Sequence, residues 1–118
     1  MAKGPTVDII FKDEDFEEEC NKEALLRKRH GTQRAKLLRR RLDDLRAAVN
    51  LGEMRRLPGR CHELKGNRAG QLISLDLDGP YRLIFEVANN PIPLKTDGGL
   101  DWIQVTSIKI LEVEDTHE

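Results

Sequence analysis

Residues 71–87 read Gln71-Leu72-Ile73-Ser74-Leu75-Asp76-Leu77-Asp78-Gly79-Pro80-Tyr81-Arg82-Leu83-Ile84-Phe85-Glu86-Val87, and this stretch decides the fold. Two runs rich in aliphatic and aromatic side chains flank Asp78-Gly79, a dipeptide that readily takes the positive φ angles of a tight hairpin. Pro80 is expected to open the second strand, where a missing N–H is most easily tolerated. On that strand Tyr81, Leu83, Phe85 and Val87 fall on one face, and Arg82, Ile84 and Glu86 on the other. An antiparallel pair is expected, with Arg82 on the opposite side of the sheet from Leu83 and Phe85.

Working outward, residues 89–99 are rich in Pro, Gly and Asn and read as an extended hairpin loop, and residues 102–113 as a final long strand. Apolar parity slips between Ile103/Val105 and Ile108/Ile110, which predicts a bulge near Thr106 or Ser107. On the N-terminal side, residues 61–64 are a short strand candidate and residues 65–70 a loop. Leu57-Pro58-Gly59 closes a helical region to which residues 50–54 add a turn. Within that region Thr32 can cap a helix in which Ala35, Leu38, Leu42, Leu45 and Val49 recur at steps of three and four. Arg34 and Arg41 are expected opposite this stripe. Asp13 can cap an earlier helix that carries Glu14 and Asp15 in its first turn and ends on Arg27, Lys28, Arg29 and His30 before Gly31. The charges at both ends complement the helix dipole, and this is also the expected work of His30. Residues 7–11 read as an edge strand, residues 1–6 as a flexible extension, and residues 7–118 as a single domain. The expected class is α+β: an N-terminal helical hairpin packed on one face of a small antiparallel sheet, whose other face is left for a site.

A chain of 118 residues with 38% hydrophobic content supports one modest core. It contains no apolar run long enough to span a membrane and no basic-then-apolar leader, so a cytoplasmic protein is expected. Cys20 and Cys61 lack ligand spacing and read as two reduced, partly buried thiols rather than a metal site or a disulfide. The net charge of −1 conceals segregation: residues 27–68 hold 14 Lys/Arg against four acids, a local balance of +10. Seven acids lie between Asp13 and Glu23, and four of the last seven residues are acidic. A basic middle suits a polyanion, nucleic acid being the commonest; a solvated helix face is the plain alternative.

Three segments then act together. The run 57–70, LPGRCHELKGNRAG, the later Tyr81-Arg82-Leu83-Ile84-Phe85 and the terminal Glu114-Asp115-Thr116-His117 resemble the HigB-like toxins of the RelE superfamily (the plasmid maintenance system killer family). The resemblance runs from about residue 7 to the C-terminus. It implies the toxin of a type II toxin–antitoxin system, a ribosome-dependent mRNA endoribonuclease that inhibits translation. The implied partners are the ribosome with its mRNA and a helix-turn-helix, HigA-like antitoxin, with DNA engaged only through the antitoxin and no membrane.

Such cleavage has a ribose 2′-OH attack its own phosphate, and needs a proton acceptor, a proton donor and cations against the charge that builds on phosphorus. No carboxylate metal cluster is legible, so chemistry without metal or cofactor is expected. By resemblance His117 is the acid/base, for which an imidazole of ordinary pKa about 6.5 is suited. By position alone it belongs to a fraying tail. Asp115 can accept a hydrogen bond and orient that tail. Lys65, before Gly66, matches a catalytic lysine and is assigned phosphate contact. Arg82 matches the catalytic arginine, its fork suited to the scissile phosphate, with a structural pair to Glu86 as the alternative. Arg68 is a candidate second phosphate contact, and Lys36, Arg39 and Arg40 in the basic run are candidate RNA contacts. His62 is read as a structural histidine, with acid/base work as the alternative.

Many relatives carry an aromatic residue where this chain has Thr116, which puts base stacking in question. Trp102 and Tyr81 are expected in the core, with a stacking ring in place of the missing one as the alternative. A second reading is therefore a non-catalytic RelE-fold inhibitor or RNA- and ribosome-binding relic neutralised by an antitoxin. A third treats the domain as an assembly part whose basic helices meet an acidic antitoxin segment.

Overall fold

A computed structural model describes residues 4–64 and 72–116. Strand β1 (Asp8–Phe11) leads into helices α1 (Glu14–Asn21), α2 (Glu23–His30) and α3 (Thr32–Ala47). Strands β2 (His62–Glu63), β3 (Leu72–Asp76), β4 (Tyr81–Val87) and β5 (Ser107–Asp115) follow. Short 3-10 turns occupy Leu51–Arg56 and Trp102–Gln104. The class is α+β, as expected.

The sheet order is β1-β5-β4-β3-β2. Strands β2 to β5 form the antiparallel meander, and β1 lies at the edge as foreseen but runs parallel to β5, which makes the sheet mixed rather than wholly antiparallel. Three helices and three strands separate β1 from β5, so no tight turn forces an antiparallel return. Val7 N–H to Ala48 O and Asp8 N–H to Thr106 O, each 2.8 Å, fix where β1 enters.

Asp13 caps α1 as read, its carboxylate accepting from Asp15 N–H at 2.8 Å. The expected first helix is broken, however, at Lys22, whose backbone is extended. In one continuous helix Leu26 would lie about 240° around the axis from Cys20. The break lets both face the core. Across it, His30 Nε2 meets Glu19 Oε1 at 2.9 Å, so His30 ties α2 to α1 besides closing a helix end. Gly31, at φ 84°, stands at the cap of α3, and Thr32 is already helical and makes no side-chain cap.

Ala35, Leu38, Leu42 and Leu45 are buried as the stripe predicts. They pack with Ile73, Leu75, Leu83, Phe85, Ile108 and Ile110 in one core between the helices and the sheet. Val49 lies beyond α3 and is exposed. Arg41, expected on the solvent side, is only 7% exposed: its Nε donates to Asp76 O at 2.9 Å, which meets the demand of a buried guanidinium for an acceptor. Arg34 is also drawn in, pairing with both carboxylate oxygens of Asp78 at 2.9 and 3.2 Å, with its guanidinium 3.3 Å from the Tyr81 ring centroid. Trp102 is buried as expected, its Nε1 donating to Glu63 Oε2 at 3.0 Å under the Arg55 guanidinium.

The last strand is shorter than its reading. Residues 102–104 form the 3-10 turn, Ile103 is 71% exposed, and β5 begins at Ser107. The parity slip therefore reflects this turn. The irregularity in the ladder comes later, where Ile84 pairs with Glu112 but Phe85 with Ile110, leaving Leu111 as the extra residue. No helix among the described residues is long and apolar enough to cross a membrane.

Candidate functional site

Because directly opposed residues share a face, the strand register defines the side of the sheet turned away from the helices. One row across it is formed by Asp76, Arg82 and Glu114, and the next by His62, Ser74, Ile84 and Glu112. Gly59 O accepts from Asp76 N–H at 2.7 Å, which extends the β2 side of the ladder and brings Arg60 to the Asp76 row. Two choices in the chain set these rows. Leu77 N–H bonds Tyr81 O and Tyr81 N–H bonds Asp78 O, so the hairpin loop includes Pro80, one residue more than the sequence reading allows. Asp76 consequently faces Arg82 rather than Tyr81. The bulge at Leu111 then returns Val113 to the core side beside Leu83 and puts Glu112 and Glu114 on the open side.

At the centre of the first row, Asp76 lies between two guanidinium groups. Arg60 Nε donates to Asp76 Oδ2, and Arg82 Nε approaches Oδ1 to 2.9 Å. The second contact is an ion pair by distance without hydrogen-bond alignment, and Oδ1 is buried with no hydrogen-bond donor among the described residues. Arg82 Nη1 donates to Gly79 O and Tyr81 O, both at 2.9 Å. Its carboxylate partner is therefore Asp76. Glu86 stands 3.9 Å from Lys109. His62 is exposed, with Nδ1 against Arg60 O. Ser74 and Ile84, between these groups, are each 1% exposed.

The end of β5 is fastened beside this row. Thr116 donates twice to Pro80 O, from its backbone N–H at 2.9 Å and from its hydroxyl at 2.7 Å. The Thr116 hydroxyl and N–H thus hold the end of β5 at the head of β4, next to Arg82. Asp115 is registered opposite Tyr81, while Glu114 is the cross-strand neighbour of Arg82. Lys65, Arg68 and His117 lie outside the described residues. Leu64 N–H bonds Leu72 O, at the end of β3 remote from Arg82, about 13 Å along the ladder.

Comparison of the chain with protein-family models, with curated proteins and with solved structures gives no match in any of the three.

Lys36, Arg39 and Arg40 are exposed on α3 and line a groove of about 590 Å³ with Glu23, Arg27 and Asp43. Arg39 is paired with Glu23 at 2.9 Å. The helix layer and the sheet separate this cluster from the Arg82 row, so the two basic groups belong to different surfaces. No group of three or more His, Cys, Asp or Glu among the described residues is arranged to hold a metal ion. Cys20 and Cys61 are buried free thiols, and desolvation pushes both up to about 12.

Sequence reading missed Arg60 and Asp76 as members of the face and favoured a structural role for His62 over acid/base work. The signal for Arg60 and His62 is their shared parity, Arg60 standing one residue before the strand candidate 61–64. That for Asp76 is its equal distance with Arg82 from Gly79, legible only once Pro80 is counted in the turn.

Proposed function

We propose that this chain is the toxin of a type II toxin–antitoxin pair, a HigB-like ribonuclease of the RelE superfamily that cuts ribosome-bound mRNA in the cytoplasm. The observation that carries this reading is the double anchorage of Thr116 on Pro80, which holds the residue before His117 at the head of the strand bearing Arg82.

In this mechanism His117 exchanges the proton, taking it from the ribose 2′-OH or giving it to the leaving 5′-oxygen. The 2′-oxygen attacks phosphorus and the P–O5′ bond breaks, which leaves a 2′,3′-cyclic phosphate and a 5′-hydroxyl. Arg82 offsets the charge on the phosphorane, with Lys65 and Arg68 as further cations from residues 65–71. His62, exposed on the same face, is the alternative proton carrier. Asp115 supports the chain end that carries His117. Lys36, Arg39 and Arg40 contact the ribosome or an acidic segment of a helix-turn-helix antitoxin, since they stand on another surface.

A second reading has one observation in its favour: Arg82 is already held by Asp76, Gly79 O and Tyr81 O, as suits a structural arginine. The chain would then bind the ribosome without cutting. Cleavage in a purified translation system, with 5′-end mapping, separates the two. The native protein is expected to make ribosome-dependent cuts that His117→Ala abolishes. Ribosome binding without cuts supports the non-catalytic reading, more so if Thr116→Tyr restores them; neither binding nor cutting removes the toxin assignment.

A further inference from the structure

We propose that Arg60 is a second phosphate-gripping arginine of the open sheet face, and that Asp76 is an internal counter-anion which an RNA phosphodiester displaces from the Arg60–Arg82 pair. This rests on the reading of the chain as an RNA-directed toxin.

Three observations meet at this point. First, two guanidinium groups, one from the segment just before β2 and one from β4, share one carboxylate: Arg60 takes Oδ2 and Arg82 faces Oδ1. A carboxylate presents two anionic oxygens to such forks, as do the two non-bridging oxygens of a phosphodiester, so the same pair of arginines fits either anion. Second, Arg60 is not needed to fill space, because its side chain is 69% exposed. Third, Arg60 has φ 47°, directly after Gly59 at φ 115°, and is the one non-glycine residue with positive φ among the described residues. Glycine or asparagine would take that backbone with less strain, so the position carries an arginine against its own conformational preference. Strained residues of this kind collect where a side chain does functional work.

The arrangement also gives the site a threshold. With Asp76 between them the two arginines are partly neutralised, and free RNA must compete with a tethered anion. RNA presented at high local concentration, as on a ribosome, displaces the carboxylate. Glu114 beside Arg82 and Glu112 in the next row add to the opposition, so the face favours a phosphate delivered in place over loosely held polyanion. Asp76 thus acts on selectivity through the arginines, as a positioning residue.

The test uses the full chain and a fluorescent 2′-O-methyl oligoribonucleotide, which cannot be cut by 2′-OH attack, with affinity read by anisotropy over a range of salt. Arg60→Gly removes the guanidinium and suits φ 47°, so it is expected to fold with an undiminished melting temperature. It should lose about tenfold in affinity and lower the salt slope by roughly 0.7, the share of one single-strand phosphate contact. Arg60→Lys should recover the slope. Asp76→Asn should bind severalfold tighter. An unchanged affinity and slope in Arg60→Gly, or weaker binding by folded Asp76→Asn, overturns the proposal. Should Asp76→Asn fail to fold, the Arg60 pair decides alone. Ribosome-dependent cleavage by the native protein is scored in parallel. Cuts together with normal binding by Arg60→Gly overturn this proposal and leave the toxin reading intact; the expected binding pattern without cuts supports the phosphate site and removes the nuclease.

Discussion

Gly59→Ala tests the link between the helix layer and the site. Gly59 has φ 115°, and a Cβ there would lie 2.8 Å from Arg41 Nε and 3.0 Å from Leu75 Cδ2. The first of these atoms is the donor that holds Asp76 O from a buried position. An alanine at positive φ costs about 1–2 kcal/mol, and displacing a hydrogen bond from a charged donor a further ~1.5–3 kcal/mol. The sum is about 2.5–5 kcal/mol, or roughly 10–20 °C in melting temperature for a domain of this size. Gly79 supplies the control: it also has positive φ, 53°, but a Cβ there meets nothing within 4 Å. Gly79→Ala should therefore cost only about 1 kcal/mol. Denaturant unfolding followed by Trp102, the single tryptophan and a buried one, measures both. In an Arg41→Ala background the Gly59→Ala penalty should shrink toward that of Gly79→Ala. Equal penalties at the two glycines, or strict additivity with Arg41→Ala, would refute the steric argument.

Three further outcomes follow from named contacts. Arg34 holds the Asp78 carboxyl below its ordinary range, so this pair contributes stability that is fully present above about pH 4 and lost as pH falls through the lowered folded value. Asp78→Asn should destabilise at pH 6, and the gap to the native protein should narrow as pH falls below the ordinary carboxylate range in urea titrations; a pH-independent gap would contradict the assignment. Cys20 and Cys61, with thiols pushed up to about 12 by burial, should resist a disulfide reagent at pH 8 and react at once in denaturant. Asn89 Oδ1 accepts from the amides of both Thr106 and Ser107 at 3.0 Å, so Asn89→Ala should cost about 1–2 kcal/mol and speed hydrogen exchange at those two amides more than at the later amides of β5.

Much of the fold was legible because it rests on local chemistry. The alternation of β4, the stripe of α3, the cap at Asp13 and the turn at Gly79 each depend on residues close in sequence. The break at Lys22 was not, because helix propensity runs through it and only the need to bury both Cys20 and Leu26 interrupts it. Burial of Arg41 was equally hidden: a guanidinium within a basic run reads as solvated until a distant carbonyl, Asp76 O, is brought to it.

For the candidate site, sequence alone placed Arg82 on the face of the sheet opposite Leu83 and Phe85. Which groups accompany Arg82 was decided by tertiary structure, through two single-residue shifts. Counting Pro80 into the hairpin loop sets Asp76, and with it Arg60, against Arg82; the extra residue at Leu111 sets Glu114 there and Asp115 opposite Tyr81. A side-chain period of two makes every such shift exchange one face for the other, and the shift is chosen by how the whole sheet packs its apolar side on the helices. Residue types are written in the chain, but the company they keep across strands is settled by the core.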